Sequence, residues 1–118
     1  MSKKEIIERL SEKHAEFCNS RNDCLGIIKG LLGTFDQLQE IHIGNLSRYT
    51  AICKFYHAVI QKIKDGCELK DALFATNNEK VFEESFIKPR NPIQQGLYLY
   101  ELEGYRMAAK MITNEFNL

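Results

Sequence analysis

The chain has 118 residues, 44% of them hydrophobic, and equal numbers of basic and acidic side chains, 16 of each. A chain of this size builds one hydrophobic core, and a zero net charge with scattered basic residues leaves no electrostatic footprint for nucleic acid or an anionic membrane surface. No apolar run approaches the roughly 20 residues of a membrane span, and the opening Met1–Ile7 runs straight into an amphipathic pattern rather than a secretory leader. The expectation is a cytoplasmic protein, with translocation into a host cell by a dedicated secretion system left open.

Ser2 and Glu5 form a capping box, in which each side chain satisfies a backbone amide of the other's turn. Behind it Ile7, Leu10, His14, Phe17, Arg21, Cys24, Ile28 and Leu31 recur at spacings of three and four, which predicts one helix with a single buried stripe ended by Gly33. Asn19 to Asp23, poor in helix formers, is a place for that helix to bend. Thr34 with Gln37 repeats the capping pattern and predicts a second helix along Phe35, Leu38, His42, Tyr49, Ile52, Tyr56, Val59 and Ile63, stopped by Gly66 and kinked or broken at Gly44-Asn45.

Leu69, Ala72 and Leu73 predict two turns of helix. Thr76 and Glu79 cap a further short one bearing Val81, Phe82, Phe86 and Ile87. Pro89 and Pro92 bracket a turn, and Asn91-Pro92-Ile93-Gln94 is a helix start that leads to about Phe116. Leu97 to Leu102 alternates as a strand would, but with no second strand to pair it reads as helix. The expected fold is all-α, a single domain over residues 1–118: an antiparallel helical bundle of three long and two short helices.

Chemistry has little foothold. Cys18, Cys24, Cys53 and Cys67 show no C-x-x-C spacing and are read as reduced thiols. No acidic residue stands three positions before His14, His42 or His57, as di-iron bundles require, and no glycine-rich phosphate loop occurs. No metal, cofactor or catalytic residue is assigned, and the chain is expected not to be an enzyme.

The terminal helix says more. Ile93, Leu97, Tyr100, Gly104, Met107, Ala108 and Met111 share one face, assigned to the core, while Tyr98, Leu102, Tyr105, Ala109, Ile112 and Phe116 form a second apolar face. Leaving several hundred Å² of that second face wet would forgo on the order of 10 kcal/mol. Either the chain itself covers it or a partner does, and the aromatic content favours a partner: a second copy, making a homodimer, or a different protein. Tyr98, Leu102, Tyr105, Ile112 and Phe116 are the expected partner-binding residues.

In its length, all-helical pattern and Lys, Asn, Ile and Phe-rich segments such as Ala75-Thr76-Asn77-Asn78-Glu79-Lys80, the chain resembles the small helical bacterial regulators of Legionella secreted effectors. That group includes inhibitors of the ubiquitin deamidase and transglutaminase pair MavC and MvcA. The resemblance implies a non-catalytic regulator that binds an effector enzyme and blocks its action on ubiquitin. A secretion chaperone or structural assembly subunit is the alternative, and a small helical enzyme or metal carrier a more distant one.

Overall fold

The computed structural model describes residues 1–37, 39–83 and 91–118. Among the described residues four α-helices carry the fold: α1 (Lys3–Leu31), α2 (Glu40–Lys64), α3 (Leu69–Asn77) and α4 (Pro92–Phe116). The all-α expectation holds, with no strand among the described residues, and Leu97 to Leu102 lie inside α4. The start expected for the fifth helix at Thr76 is not a break among the described residues: Thr76 is buried within α3, and the chain continues from α3 into a π-helical turn, Asn78–Glu83. The expectations for Phe35, Leu38, Phe82, Phe86, Ile87, Pro89, Ile93 and Gln94 lie outside the described side chains.

Capping chemistry explains both the success and the failure of the boundaries. The Ser2 hydroxyl accepts from the Glu5 backbone N–H at 3.2 Å, as its spacing requires, and α1 then runs unbroken through Asn19 to Asp23. Gly33 does not end it. A short 3-10 segment, Leu32–Gln37, takes over at Leu32, and the chain turns at Thr34 (φ −129°, ψ 66°). The start of α2 is set instead by Gln39, whose backbone N–H donates to His42 Nδ1 at 3.0 Å. An imidazole accepting at the third helical position does the work of the glutamate in an ordinary capping box. At the far end Gly66 (φ 111°) closes α2 as expected, with the Cys67 N–H donating to the Lys62 carbonyl at 3.0 Å. Lys3 donates to the Gly66 carbonyl at 3.1 Å, placing a cation at the negative end of the α2 dipole.

The central element is α2. Helices α1 and α4 both pack along its length and share little contact with each other, within a molecule measuring 50 × 31 × 22 Å. Accordingly α2 contributes most of the core, including Ala51, Ile52, Phe55, Tyr56, Val59, Ile60 and Ile63, whereas α1 contributes only Leu10 as a fully buried residue. The α1 stripe is real but half-buried, because a helix with one neighbour has only one line of contact to give.

Direction departs from the expected antiparallel bundle. Lys3 meets Gly66, His14 meets His57 and Phe17 meets Tyr56, so α1 and α2 are antiparallel. But Tyr100 meets Glu40, Gly104 meets Arg48 and Ala51, and Tyr105 meets Phe55, so α4 runs in the same direction as α2. The stretch between them, α3 included, must return the chain to the starting end, as parallel neighbours require a crossover.

Gly44, expected as a kink, and Gly104, expected on the core face, are both points of close helix contact. A Cβ at Gly104 would lie 2.5 Å from the Arg48 carbonyl oxygen and 2.8 Å from the Ala51 Cβ, and one at Gly44 would lie 2.9 Å from the Tyr100 ring. The α2 helix passes through Gly44-Asn45 without interruption, corrected from the expected kink, because that glycine makes room for a ring. Gly26, Gly30 and Gly96 have open space where a Cβ would stand. Opposite signs are therefore expected in urea melts. Gly104→Ala should lose about 1–3 kcal/mol by overpacking against backbone that has nowhere to move. Gly26→Ala or Gly96→Ala should gain up to about 1 kcal/mol of helix propensity.

Candidate functional site: an apolar groove between α3 and α4

The rotation of α4 decides which of its side chains remain available. Gly104 lies against α2, Ala108, Tyr105 and Ile112 join the core cluster beside it, and Tyr98 is buried as well. Tyr105 is 2% exposed, with its ring 6.4 Å from that of Phe55, and Ile112 is 0% exposed. The inward arc thus straddles the two faces read from the sequence: small residues of one set the approach, and rings of the other fill the flank. Three of the five expected partner-binding residues, Tyr98, Tyr105 and Ile112, are accordingly core, covered by the chain itself. Conversely Met107, assigned to the core, is exposed. Leu102 is half-buried at the edge of a shallow hollow with Leu99, Glu103, Arg106, Met107 and Lys110. Phe116, also half-buried, packs on the core near Ile6 at the opposite end of α4.

The approach of α4 is locked by polar contacts on its outer edge. Tyr100 donates to a Glu40 carboxylate oxygen at 2.5 Å, and the Arg48 guanidinium lies 4.8 Å from the Tyr100 ring centroid and 3.2 Å from Glu103. The bond to Glu40 raises the Tyr100 pKa, since losing the phenolic proton would set two negative oxygens together.

Beside this contact, α3 and α4 leave a groove of about 530 Å³. Leu73, Phe74, Ala109 and Leu118 supply its apolar surface, and Lys70, Asp71, Asn77 and Thr113 complete the lining. Thr113 turns its hydroxyl back to the Ala109 carbonyl at 2.7 Å, leaving its methyl group for the groove. Phe74 is 68% exposed, the most exposed of the large apolar side chains of the described residues. Helix geometry explains it: α3 buries Leu69, Ala72 and Thr76, and Phe74 points away from that line. The sequence offered a signal in the adjacent pair Leu73-Phe74, since neighbours about 100° apart on a two-turn helix cannot both face one core.

A second cluster lies between α1 and α2. The His14 and His57 rings stand 5.9 Å apart, and Cys18 Sγ is 3.6 Å from His14 Nε2. Burial first, then the facing His57 and Arg21, lower the His14 pKa. His42 is elsewhere, serving as the α2 cap. Among the described residues no three His, Cys, Asp or Glu side chains are grouped to hold a metal ion, and no helix is long and apolar enough to cross a membrane.

Two outcomes are expected from this geometry. Tyr105→Asp, which places a charge in the core, should abolish the cooperative melt, and Ile112→Ala should cost about 2–5 kcal/mol, while Leu99→Asp at a site 56% exposed should leave the melt within about 0.5 kcal/mol of native. The lowered His14 pKa makes protonation easier in the unfolded chain than in the folded one. Its contribution to stability is therefore present above the ordinary imidazole pKa of about 6.5 and is lost as pH falls through the lower folded value. Melting temperature should decline from neutral pH to about 5, and His14→Gln should remove part of that slope.

In comparisons with known proteins the chain matches no family model, no curated protein and no solved structure.

Proposed function

We propose that this chain is a non-catalytic protein-binding regulator that seats an apolar segment of a partner enzyme in the groove between α3 and α4 and thereby inhibits it. The observation that carries the reading is Phe74. An aromatic ring held on a packed helix and left two-thirds in water, beside Leu73, Ala109 and Leu118, has the makeup of an interface anchor. Lys70, Asp71 and Asn77 supply a mixed polar rim of the kind that surrounds such anchors and excludes water when a partner docks. This docking surface keeps Ala109 from the second apolar face of α4 and lies on the flank that Ala109 and Thr113 share with α3.

The resemblance to effector regulators supplies the partner class: a bacterial enzyme that deamidates or cross-links ubiquitin. The test is inhibition of such an enzyme by the purified chain, with Phe74→Asp as the decisive variant. Because Phe74 is exposed, the variant should melt as the native protein does, while its affinity falls roughly 30-fold or more, the loss that defines a binding hot spot. Equal inhibition by native and variant proteins, or no binding by either, would overturn the proposal. Light scattering adds the remaining outcome: a native dimer made monomeric by Phe74→Asp would show that the groove holds a second copy instead.

A further inference from the structure

The contact between α1 and α2 carries chemistry that the groove does not use. The antiparallel register that brings Lys3 to Gly66 and His14 to His57 also sets Cys18 of α1 against Cys53 of α2. The pairing is local and well framed: the Phe17 ring stands 6.1 Å from both Tyr49 and Tyr56, fixing the level of the neighbouring Cys18 along α2. Cys53 is buried at 3% exposure, and Cys18, next to Phe17 on α1 and at the level of Cys53 in this register, is only half-buried. Cys18 therefore faces a buried thiol on one side and the His14 imidazole, at 3.6 Å, on another.

We propose that Cys18 and Cys53 are a peroxide-reactive thiol pair, with Cys18 the attacking sulfur and Cys53 the resolving one, which closes a reversible disulfide between α1 and α2.

The groups present divide the task. Burial, His57 and Arg21 disfavour the His14 imidazolium, so the ring is neutral; with its proton on Nδ1, Nε2 accepts from the Cys18 thiol and relays that proton only as the sulfur attacks. The Cys18 thiolate attacks one oxygen of a hydroperoxide. An S–O bond forms, the O–O bond breaks, and the leaving oxygen takes up the proton from His14 and departs as water or alcohol. Cys18 is now a sulfenic acid, oxidised by two electrons that the peroxide has received. The Cys53 sulfur then attacks the Cys18 sulfur: the S–S bond forms, the S–O bond breaks, and hydroxide leaves as water with the Cys53 proton. Burial first, and then the neighbouring Cys18, raise the Cys53 pKa, so it keeps its proton until this second step. A thiol reductant reverses the product by exchange.

The other cysteines are set differently. Cys24 is half-buried next to Asp23, and burial and that charge raise its pKa, making it a poorer source of thiolate. Cys67 is exposed just beyond α2, where oxidation would join two chains.

The full chain should be treated with hydrogen peroxide, alkylated, digested and mapped by mass spectrometry. The expected product is an intramolecular Cys18–Cys53 disulfide, formed before modification of Cys24 and reversed by dithiothreitol. Cys53→Ala should stop at the sulfenic acid, trapped on Cys18 by dimedone, and Cys18→Ala should yield neither product. His14→Gln should slow the reaction roughly tenfold and change its pH profile, a readout that loss of packing alone would not produce. Circular dichroism of each variant checks the fold. The inference is overturned if peroxide leaves Cys18 and Cys53 open to alkylation in the folded native chain, or if the products are confined to Cys24 and Cys67.

Discussion

Everything in this fold is arranged around how closely α4 can approach α2. With no side chain at Gly104, the α4 backbone rests against the Arg48 carbonyl and the Ala51 methyl, and Gly44 receives the face of Tyr100 farther along the same crossing. Interaxial distance and helix rotation are coupled in such a contact, because the smallest residues must point at the partner's backbone. Once Gly104 and Ala108 point inward, Tyr105 and Ile112 join the core and Leu99 and Met107 have to face solvent. Tyr100, Glu40, Arg48 and Glu103 then hold the rotation from outside through a hydrogen bond, an ion pair and a guanidinium over a ring.

The same rotation creates the groove. Ala109 and Thr113 come to face α3, and both are small where they face it, one by its nature and the other because its hydroxyl is bonded back to its own helix. Leu73 and Phe74 therefore meet a shallow wall rather than interlocking side chains, and the space between is left open. A larger residue at 109 would close the groove, cover Phe74 and extend the core. Keeping it open leaves apolar surface wet, a cost that a docked partner would offset.

On its other side α2 meets α1 differently. From α1 that interface receives one fully buried side chain, Leu10, together with the half-buried His14, Phe17 and Cys18, which face Tyr56, Cys53 and His57 of α2. One polar pair there is satisfied within α1 itself, the Cys18 thiol with the His14 imidazole. Helix α2 therefore carries two interfaces of different character. Toward α4 it makes a close approach at Gly104, edged by the pairs Tyr100 with Glu40 and Arg48 with Glu103, while toward α1 it faces an imidazole and a thiol. The proposed thiol pair uses the second interface, and the proposed docking groove depends on the first.

The helices themselves were legible in the chain because their causes are local. The Ser2 cap, the Pro92 start, the Gly66 stop and the three-and-four spacing of the stripes each act within a turn or two. Even the failure at Gln39 and His42 was a local rule met by an unusual residue. What periodicity could not decide was rotation and direction. A helix with two apolar faces is compatible with several neighbours, and only contact with Arg48 and Ala51 shows that Gly104 leads and that Tyr105 and Ile112 follow it inward. For that reason Tyr98, Tyr105 and Ile112 read as interface residues from the sequence alone, while Phe74 went unremarked. The parallel course of α4 and the meeting of Cys18 with Cys53 are decided by long-range register. No spacing within one helix encodes it, because the partner residue belongs to a different segment and the distance between them exists only after the chain has folded.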